Sequence, residues 1–248
     1  DITLVGKNPS YKPAVTFSIN KSDIVTAVSK SLKKDILSSF VIKKDIEVVP
    51  NFVDLELYNM DGPCIKSQIA PNGEKVISHI SNMRPVKRIP DIIEIFYRIQ
   101  KKEDAILLMI GEGPEREKAE QQAKDLGIYS KVKFLGKTSE IRRLLCMSDL
   151  FLLTSSTESF GLVALEAMAA KVPVISSNAG GISEVNVHGE TGFLATIGDV
   201  ETMAEHSLML LQNPKLHKEF KANAYRRAQE FSIDVVVPQY EAIYERAL

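Results

Sequence analysis

Short apolar runs rich in β-branched residues alternate with stretches whose apolar residues recur at helical spacing along most of the chain. Runs without polar alternation predict strands buried on both faces, and the stretches between them predict the helices that cover those faces. The predicted strands are 22–29, 46–50, 75–81, 105–111, 132–136, 150–156, 173–177 and 192–196. The predicted helices are 31–40, 90–103, 114–127, 139–148, 160–170, 182–188 and 199–214, with further helices to the C-terminus.

This alternation is typical of an α/β fold with a doubly wound parallel sheet. Six strand–helix steps between about residues 75 and 230 form one complete domain, whereas residues 1 to about 50 hold only a strand–helix–strand unit. Such a unit cannot bury its own sheet, so we expect it to be the remnant of a second domain whose other strands lie outside the chain. The polar stretch 59–74, with its turn signals, is expected to be a connector.

Composition narrows the class of protein. The 248 residues are 44% apolar and 25% charged with a net charge of −1, as in ordinary soluble globular proteins. Near-neutral charge and 7% aromatic content favour neither nucleic acid nor a membrane surface as a partner, and no apolar run suits a transmembrane helix. Two cysteines, Cys64 and Cys146, are too few for a disulfide framework, and with no secretory pattern they favour a cytoplasmic location.

The sequence lacks metal-binding motifs and an initiator Met, and each absence leads to an expectation. The histidines lack metal-binding spacing and no D-x-D sequence is present, so a metal-independent site is expected. The chain opens DITLVG without an initiator Met, so we expect it to be a piece of a longer protein.

Ligands of parallel α/β sheets bind beyond the carboxyl ends of the strands, so the loops there are the candidate site. SNMRPVKR (81–88) carries three basic side chains, either as a solvent-exposed charged turn or as a clamp for a phosphate chain. GEGPER (111–116) is either part of a glycine-rich phosphate loop or a tight turn before a helix. NAGG (178–181) is either a plain turn or a place where a ligand approaches the backbone.

The segment ESFGLVALE (158–166) places two carboxylates around a predicted helix start. Free N–H groups and the dipole at a helix start form an anion site suited to phosphate. Glu158 precedes the helix expected from Phe160, and Glu166 lies within it. They are either a first-turn capping acid and a surface residue, or acceptors for hydroxyl groups on the two sides of a diphosphate. A ligand with hydroxyl groups on both sides of a diphosphate is a sugar nucleotide.

Longer segments resemble a known family. ESFGLVALEAMAAKVPVI (158–175) followed by GGISEVNVHGETGFL (180–194) resembles the donor-binding domain of retaining glycosyltransferases of the GT-B fold, family 4 type. VVPNFVD (48–54) resembles that family's interdomain linker, and VKFLGKTSEIRRLL (132–145) its nucleoside-base pocket. The resemblance runs through about 22–245.

The resemblance implies a Rossmann-like fold and a division of the chain into three parts. Residues 1–54 would be the C-terminal remnant of the acceptor-binding N-terminal domain with its linker. Residues 55–232 would be the nucleotide-sugar binding domain, and 233–248 a crossover helix that packs back on the N-terminal domain. The acceptor site and a catalytic histidine loop would lie outside the chain, so the chain alone is expected to be inactive.

The resemblance also implies roles for individual residues. Glu158 would bind hydroxyl groups of the donor sugar, and Glu166 those of the ribose. Lys87 would bind the diphosphate and stabilise the departing nucleoside diphosphate. Many relatives carry an Arg five residues before this Lys, where this chain has Asn82. Either Arg84, from its shifted position, or Asn82 would fill this second phosphate-binding place, and both belong to the expected site. The remaining members of the expected donor-binding set are the backbone of Ser159, Phe160, Gly161, Leu162 and Val163, together with Gly111 and Lys137.

Within the family, DITLVG, SDIVTAVS, PNFVD and HISNMRPVKRIPD most resemble the members of bacillithiol formation. This likeness implies transfer of N-acetylglucosamine from UDP-GlcNAc to L-malate, with the donor as substrate and with no cofactor. The alternatives are another UDP- or GDP-sugar-dependent glycosyltransferase with a glycan or lipid acceptor, and a nucleotide-sugar-binding module without chemistry. A dinucleotide-dependent oxidoreductase is a third, although the three-glycine fingerprint is absent. The sequence leaves homo-oligomerisation open.

Overall fold

The computed structural model describes residues 6–59 and 64–248. Its main body is a six-stranded parallel sheet in the order β5-β4-β3-β6-β7-β8, and a separate parallel pair joins β1 and β2. The strands are β1 Val25–Ala27, β2 Ile46–Val48, β3 Lys75–Ile80, β4 Ala105–Ile110, β5 Val132–Gly136, β6 Leu150–Leu153, β7 Val174–Ser177 and β8 Gly192–Ala195. Every predicted strand is present, and the doubly wound α/β class is confirmed.

The helices lie between and after these strands. They are α1 Lys12–Lys21, α2 Lys30–Ser39, α3 Ile89–Gln100, α4 Arg116–Asp125, α5 Ile141–Cys146, α6 Leu162–Ala169, α7 Val200–Leu211, α8 Pro214–Gln229 and α9 Ile233–Ala247. Helix α1 is not among the predicted helices, because it buries none of its side chains and so has no helical stripe of apolar residues. The helix predicted at 182–188 is instead a 3-10 turn, Gly180–Glu184.

Both faces of the large sheet are covered, as its uniformly apolar strands require. Alternate residues of each central strand enter two separate cores. In β4, Leu107 packs among side chains of α3, α4 and α7, whereas Leu108 packs on the opposite face with α5, α6 and α8. Both leucines are fully buried.

The strand order fixes where a ligand can bind. The chain builds β3, β4 and β5 outward in one direction, then returns to β6 beside β3 and continues outward to β8. The loops after β3 and β6 therefore diverge to opposite faces and leave a crevice between them at the carboxyl edge of the sheet.

The first unit of the chain packs apart from the large sheet. The pair β1–β2 and helix α2 form a small core around Ile36, Phe40 and Ile46. Helix α9 contacts this unit, since Val236 packs against Val49 in a common cluster. The C-terminal helix therefore returns to the N-terminal segment, although the domain boundaries themselves stay a prediction.

The structure brings the two cysteines together, which the sequence did not predict. Cys64 and Cys146 are 82 residues apart in sequence but are paired as a disulfide, with their Cα atoms 5.8 Å apart. The pair joins the connector to the end of α5, and this contact arises from the tertiary fold. The expected turn signals at 60–63 and the opening residues 1–5 lie outside the described residues. Among the described helices, none is both long and apolar enough to span a bilayer.

The burial of Leu107 between two covered faces predicts the effect of shortening its side chain. Leu107→Ala should lower the free energy of unfolding by about 3–5 kcal/mol, because the cavity would form between packed layers that cannot collapse. Leu135 lies on the edge strand β5 and is 39% exposed. Leu135→Ala is thus the matched control and should cost less than about 1 kcal/mol. Urea denaturation followed by circular dichroism measures both, and equal losses would contradict the assigned core.

Candidate functional site

The loops after β3 and β6 bring Lys87 and Glu158 together. Lys87 ends the 3-10 turn Pro85–Lys87, and its ammonium group forms an ion pair with the Glu158 carboxylate, 71 residues along the chain. The Ser155 hydroxyl donates to the same carboxylate oxygen at 2.7 Å. The two charged side chains are only 19% and 12% exposed. Glu158 is therefore not a helix-capping acid, since its carboxylate is committed to Lys87 and Ser155.

Contacts from the segment just after β6 hold the basic loop 81–88 in place. The Thr154 hydroxyl donates to the Lys87 carbonyl at 2.8 Å, and the Ser156 N–H donates to the Val86 carbonyl at 2.9 Å. The Arg88 guanidinium donates to Asp91 at 2.6 Å, so this basic side chain stabilises the start of α3. Lys87 is thus presented from a turn whose carbonyl groups are fixed to the neighbouring strand.

Two further candidates on this loop, Asn82 and Arg84, are exposed. Within the described residues, Arg84 forms no salt bridge. Both side chains lie on the same short loop as Lys87. Which of them would contact a phosphate stays a prediction.

Helix α6 begins two residues later than expected, at Leu162 after a left-handed Gly161 with φ of 92°. A Cβ at Gly161 would lie 2.4 Å from Cδ1 of Ile182, so both the turn and the packing require glycine. In the described part of the chain, the N–H groups of Leu162 and Val163 donate to no carbonyl or side chain. These donors and the helix dipole form an anion-binding start.

The side chain of Phe160 cannot contact a polar ligand. It is 3% exposed and packs edge-to-face on Phe231, with ring centroids 5.7 Å apart. Ser159, by contrast, is exposed. Phe160 can therefore offer a polar ligand only its backbone, and the contacts that the resemblance implies for 159–163 stay a prediction.

The glycines of NAGG make room for protein backbone. A Cβ at Gly180 would lie 2.2 Å from the Glu158 carbonyl oxygen, and one at Gly181 would lie 2.3 Å from that of Ser159. The Gly181 N–H also donates to the Glu158 carbonyl at 2.8 Å. These two glycines are therefore required by packing against the loop that carries Glu158, and approach of a ligand to the NAGG backbone stays a prediction.

Glu166 is a half-buried residue of α6. Burial raises the pKa of its carboxyl group. Burial and then the charge of Glu166 raise the pKa of Tyr58, so this tyrosine, the residue just before the connector, lies near the Glu166 carboxylate. Glu166 is therefore not a plain surface residue, and it lies on the same helix whose first N–H groups are free.

The last two candidate residues are Gly111, in the GEGPER loop, and Lys137, which follows β5. Gly111 donates its N–H to the Gly136 carbonyl at 2.8 Å, and a Cβ on Gly111 would lie 2.0 Å from the Ser81 carbonyl oxygen. This loop thus packs tightly against the basic loop 81–88. Lys137 follows Gly136 and is exposed at the same edge of the sheet.

Comparison with known proteins decides the family. The family model of glycosyl transferases group 1 matches residues 64–227. The chain belongs to this glycosyltransferase family.

Other glycosyltransferases are similar over most of the chain. N-acetyl-alpha-D-glucosaminyl L-malate synthase of Bacillus anthracis is 43% identical over 98% of this chain and 65% of its own length. Anabaena HepE, solved with UDP-glucose, superposes with a TM-score of 0.90 at 25% identity, over 99% of this chain and 70% of that one. TarM of S. aureus, solved with UDP, gives a TM-score of 0.81 at 25% identity, over 95% and 46%. The GT-B resemblance is thereby confirmed, and the chain spans 65% of the synthase.

Sequence reasoning missed two residues that attach the first unit to the candidate site. The Ser29 hydroxyl donates to the Ser159 carbonyl at 2.6 Å. The Glu184 carboxylate accepts the N–H groups of Lys30 at 2.9 Å and Ser31 at 2.8 Å, at the start of α2. A serine before a helix signals a cap, but only the fold supplies its second partner.

No residue set in the described ranges suggests a resident metal. Within 6–59 and 64–248, no group of three His, Cys, Asp or Glu side chains is placed to hold an ion. The metal-independent site expected for this glycosyltransferase stays a prediction.

The ion pair predicts a non-additive response to mutation. Lys87→Met or Glu158→Gln alone should lower the free energy of unfolding by about 2–3 kcal/mol, because each leaves a poorly solvated charge without its partner. The double variant should lose clearly less than the sum of the two.

The exposed pair Arg246–Glu47 is the control, with side chains 55% and 38% exposed. Its coupling should stay below about 1 kcal/mol. Urea denaturation of each set of variants gives the two coupling energies. Additive losses at Lys87 and Glu158 would mean that the pair does not form in solution.

Proposed function

We propose that the chain is the donor-binding part of a retaining glycosyltransferase that transfers N-acetylglucosamine from UDP-GlcNAc to L-malate. The observation that supports it most is the meeting of Lys87 and Glu158 in the crevice between β3 and β6, beside the free N–H groups of α6. This arrangement combines a cation, helix-start amides and a hydroxyl acceptor in one place.

Each part has a chemical task in such a transfer. As the bond between sugar and diphosphate breaks, negative charge develops on the departing nucleoside diphosphate. Lys87 and the N–H groups of Leu162 and Val163 would stabilise that charge because they are already oriented. Glu158, released from Lys87 by the diphosphate, would accept hydroxyl groups of the sugar.

The other end of the donor would lie along α6. Glu166 is four residues beyond Leu162, which corresponds to about 6 Å along a helix axis. A carboxylate has enough lone pairs to accept both ribose hydroxyl groups. Gly111, Lys137 and Asn82 would contribute from the neighbouring loops, and Arg84 would supply a second cation for the diphosphate. The donor would be a substrate, and no cofactor or metal is proposed.

Two similar structures support UDP as the nucleotide part of the donor. HepE was solved with UDP-glucose and TarM with UDP, each at 25% identity to this chain. N-acetylglucosamine and L-malate are supported by the 43% identity to the synthase that carries both in its name.

The three-part division 1–54, 55–232 and 233–248 follows from this function. The acceptor would bind to a domain of which 1–54 is the end. The contact of α9 with the first unit supports a crossover helix, since the Tyr240 hydroxyl donates to the Val49 carbonyl at 3.3 Å.

Calorimetry with UDP tests the donor site on the chain itself. Wild-type protein should bind UDP, and Lys87→Met and Glu166→Gln should each weaken binding by about tenfold or more, because each removes a charged hydrogen-bond partner. Lys218→Met and Glu219→Gln, on the exposed side of α8, are controls of the same chemistry and should bind like wild type. A folded wild type that gives no binding heat would overturn the donor site.

Turnover by the complete gene product tests acceptor and stereochemistry. UDP release from UDP-GlcNAc should require L-malate, with succinate as the control that lacks the accepting hydroxyl. The product's anomeric proton should show the α-coupling of the donor in NMR, as retention requires. Release at the same rate without L-malate would remove the acceptor assignment, and a β-product would remove retention.

A further inference from the structure

A buried histidine reaches the basic loop through a hydroxyl group. His79 is the fifth residue of β3 and is fully buried. It belongs to no ion pair in the described residues and is not among the candidate ligand-binding residues. Its Nδ1 lies 2.9 Å from the Leu152 carbonyl oxygen, and its Nε2 lies 2.7 Å from the Ser81 hydroxyl. The Met83 N–H donates to that same hydroxyl at 3.1 Å. The three contacts form one chain from β6 to the start of the loop.

The chemistry of the end groups fixes the direction of every bond in this chain. A carbonyl oxygen only accepts, so Nδ1 of His79 carries the proton. The Met83 N–H only donates, so the Ser81 oxygen accepts from it and has its own proton free. A neutral imidazole carries a single ring proton, which Nδ1 holds here, so Nε2 accepts the proton of the Ser81 hydroxyl. Burial lowers the pKa of His79 to about 4, which keeps the ring neutral in this arrangement.

The loop needs such support because its backbone is strained at both ends. Met83 and Arg88 have φ of 40° and 50°, a left-handed region that side chains disfavour. Strain of this kind persists only where surrounding contacts over-determine it, and it concentrates at functional sites. Arg88 is fixed by Asp91 and by contacts of its neighbours to β6. Met83 must therefore be held by other groups.

Those groups enclose Met83 from both sides. Its side chain is fully buried, and its carbonyl accepts the Glu115 N–H at 3.0 Å. A Cβ at Gly113 would lie 1.9 Å from the Asn82 carbonyl oxygen, so the glycine loop lies directly against the turn. The remaining backbone group of Met83, its N–H, is satisfied by Ser81 alone among the described contacts.

We propose that His79, held as the Nδ1–H tautomer, is the positioning residue for Lys87, acting through Ser81 on the left-handed turn at Met83. This assignment rests on the proposed function, since Lys87 matters as the ligand of a diphosphate. Lys87 lies four residues after Met83, on a turn whose far end is anchored to Thr154. Without the Ser81 hydroxyl the near end loses the one partner of the Met83 N–H, and the position of Lys87 opposite Glu158 becomes less narrowly fixed.

Substitutions at Ser81 separate positioning from plain stability. Ser81→Ala removes the hydroxyl and leaves both Nε2 and the Met83 N–H without a partner, whereas Ser81→Thr keeps it. Ser78→Ala is the matched control, because Ser78 lies on the same strand and its buried hydroxyl contacts the Leu150 carbonyl at 3.5 Å, away from the loop. All of these changes are made in the 248-residue chain.

Two readouts need no ligand. Imidazole ¹⁵N NMR of wild type should show His79 with its proton on Nδ1, and hydrogen exchange should show a protected Met83 amide. Ser81→Ala should speed that exchange by about tenfold, the loss expected for one hydrogen bond, while Ser81→Thr and Ser78→Ala leave it unchanged. An Nε2–H tautomer, or unchanged exchange in Ser81→Ala, would overturn the proposal. The tautomer is measured on wild type and so decides even if a variant does not fold.

UDP calorimetry then connects the turn to the site. Ser81→Ala should weaken UDP binding by about five- to tenfold, with recovery in Ser81→Thr and no change in Ser78→Ala. Equal affinity in Ser81→Ala and wild type would overturn positioning while leaving the donor site intact. If wild type binds no UDP, the proposed function fails, and with it the role of His79 toward Lys87, whatever the tautomer and exchange show.

Discussion

The ion pair between Lys87 and Glu158 is the contact on which the candidate site depends. It joins the loops that leave the two central strands β3 and β6 toward opposite faces of the sheet. Both side chains are mostly removed from water, so their attraction must offset a desolvation penalty, and the hydrogen bond from Ser155 contributes to that balance. A diphosphate brings more negative charge than one carboxylate. In the proposed function it would therefore displace Glu158 from Lys87 and leave that carboxylate free for hydroxyl groups.

The glycines around the ion pair restrict where the two loops that carry Lys87 and Glu158 can lie. Gly111 and Gly113 admit the backbone of the loop after β3, and Gly180 and Gly181 admit the backbone of the loop after β6. In each case a Cβ would lie under 2.5 Å from a carbonyl oxygen of the loop. Each loop thus packs its backbone against two glycines. The charged side chain of each loop, Lys87 or Glu158, lies on the side of the crevice. The glycine-rich segments stabilise the site through packing, whatever further contacts they make.

Much of the fold and part of the site could be predicted from local sequence. The apolar runs gave the strands because parallel strands are buried on both faces, and the loops at their carboxyl ends contained Lys87 and Glu158. Contacts between distant residues could not be predicted this way. Cys64 and Cys146, which form the disulfide, are 82 residues apart in sequence. His79 and Leu152, which share a hydrogen bond, are 73 residues apart. Helix α1 was missed because none of its residues is buried.

The first unit is attached to the site by hydrogen bonds and by Val28, which packs against one core of the large sheet. Its own cluster is separate from the two cores of the large sheet. Yet Ser29 donates to the Ser159 carbonyl, one residue after Glu158, and Glu184 caps the start of α2. Any rotation of this unit away from the sheet must break the bond to Ser159 and remove the Glu184 carboxylate from the first N–H groups of α2, while the Ser29 cap on Leu32 stays within the unit. Since the Ser159 carbonyl belongs to the loop that holds Glu158, the position of the first unit and the geometry of the ion pair are physically coupled.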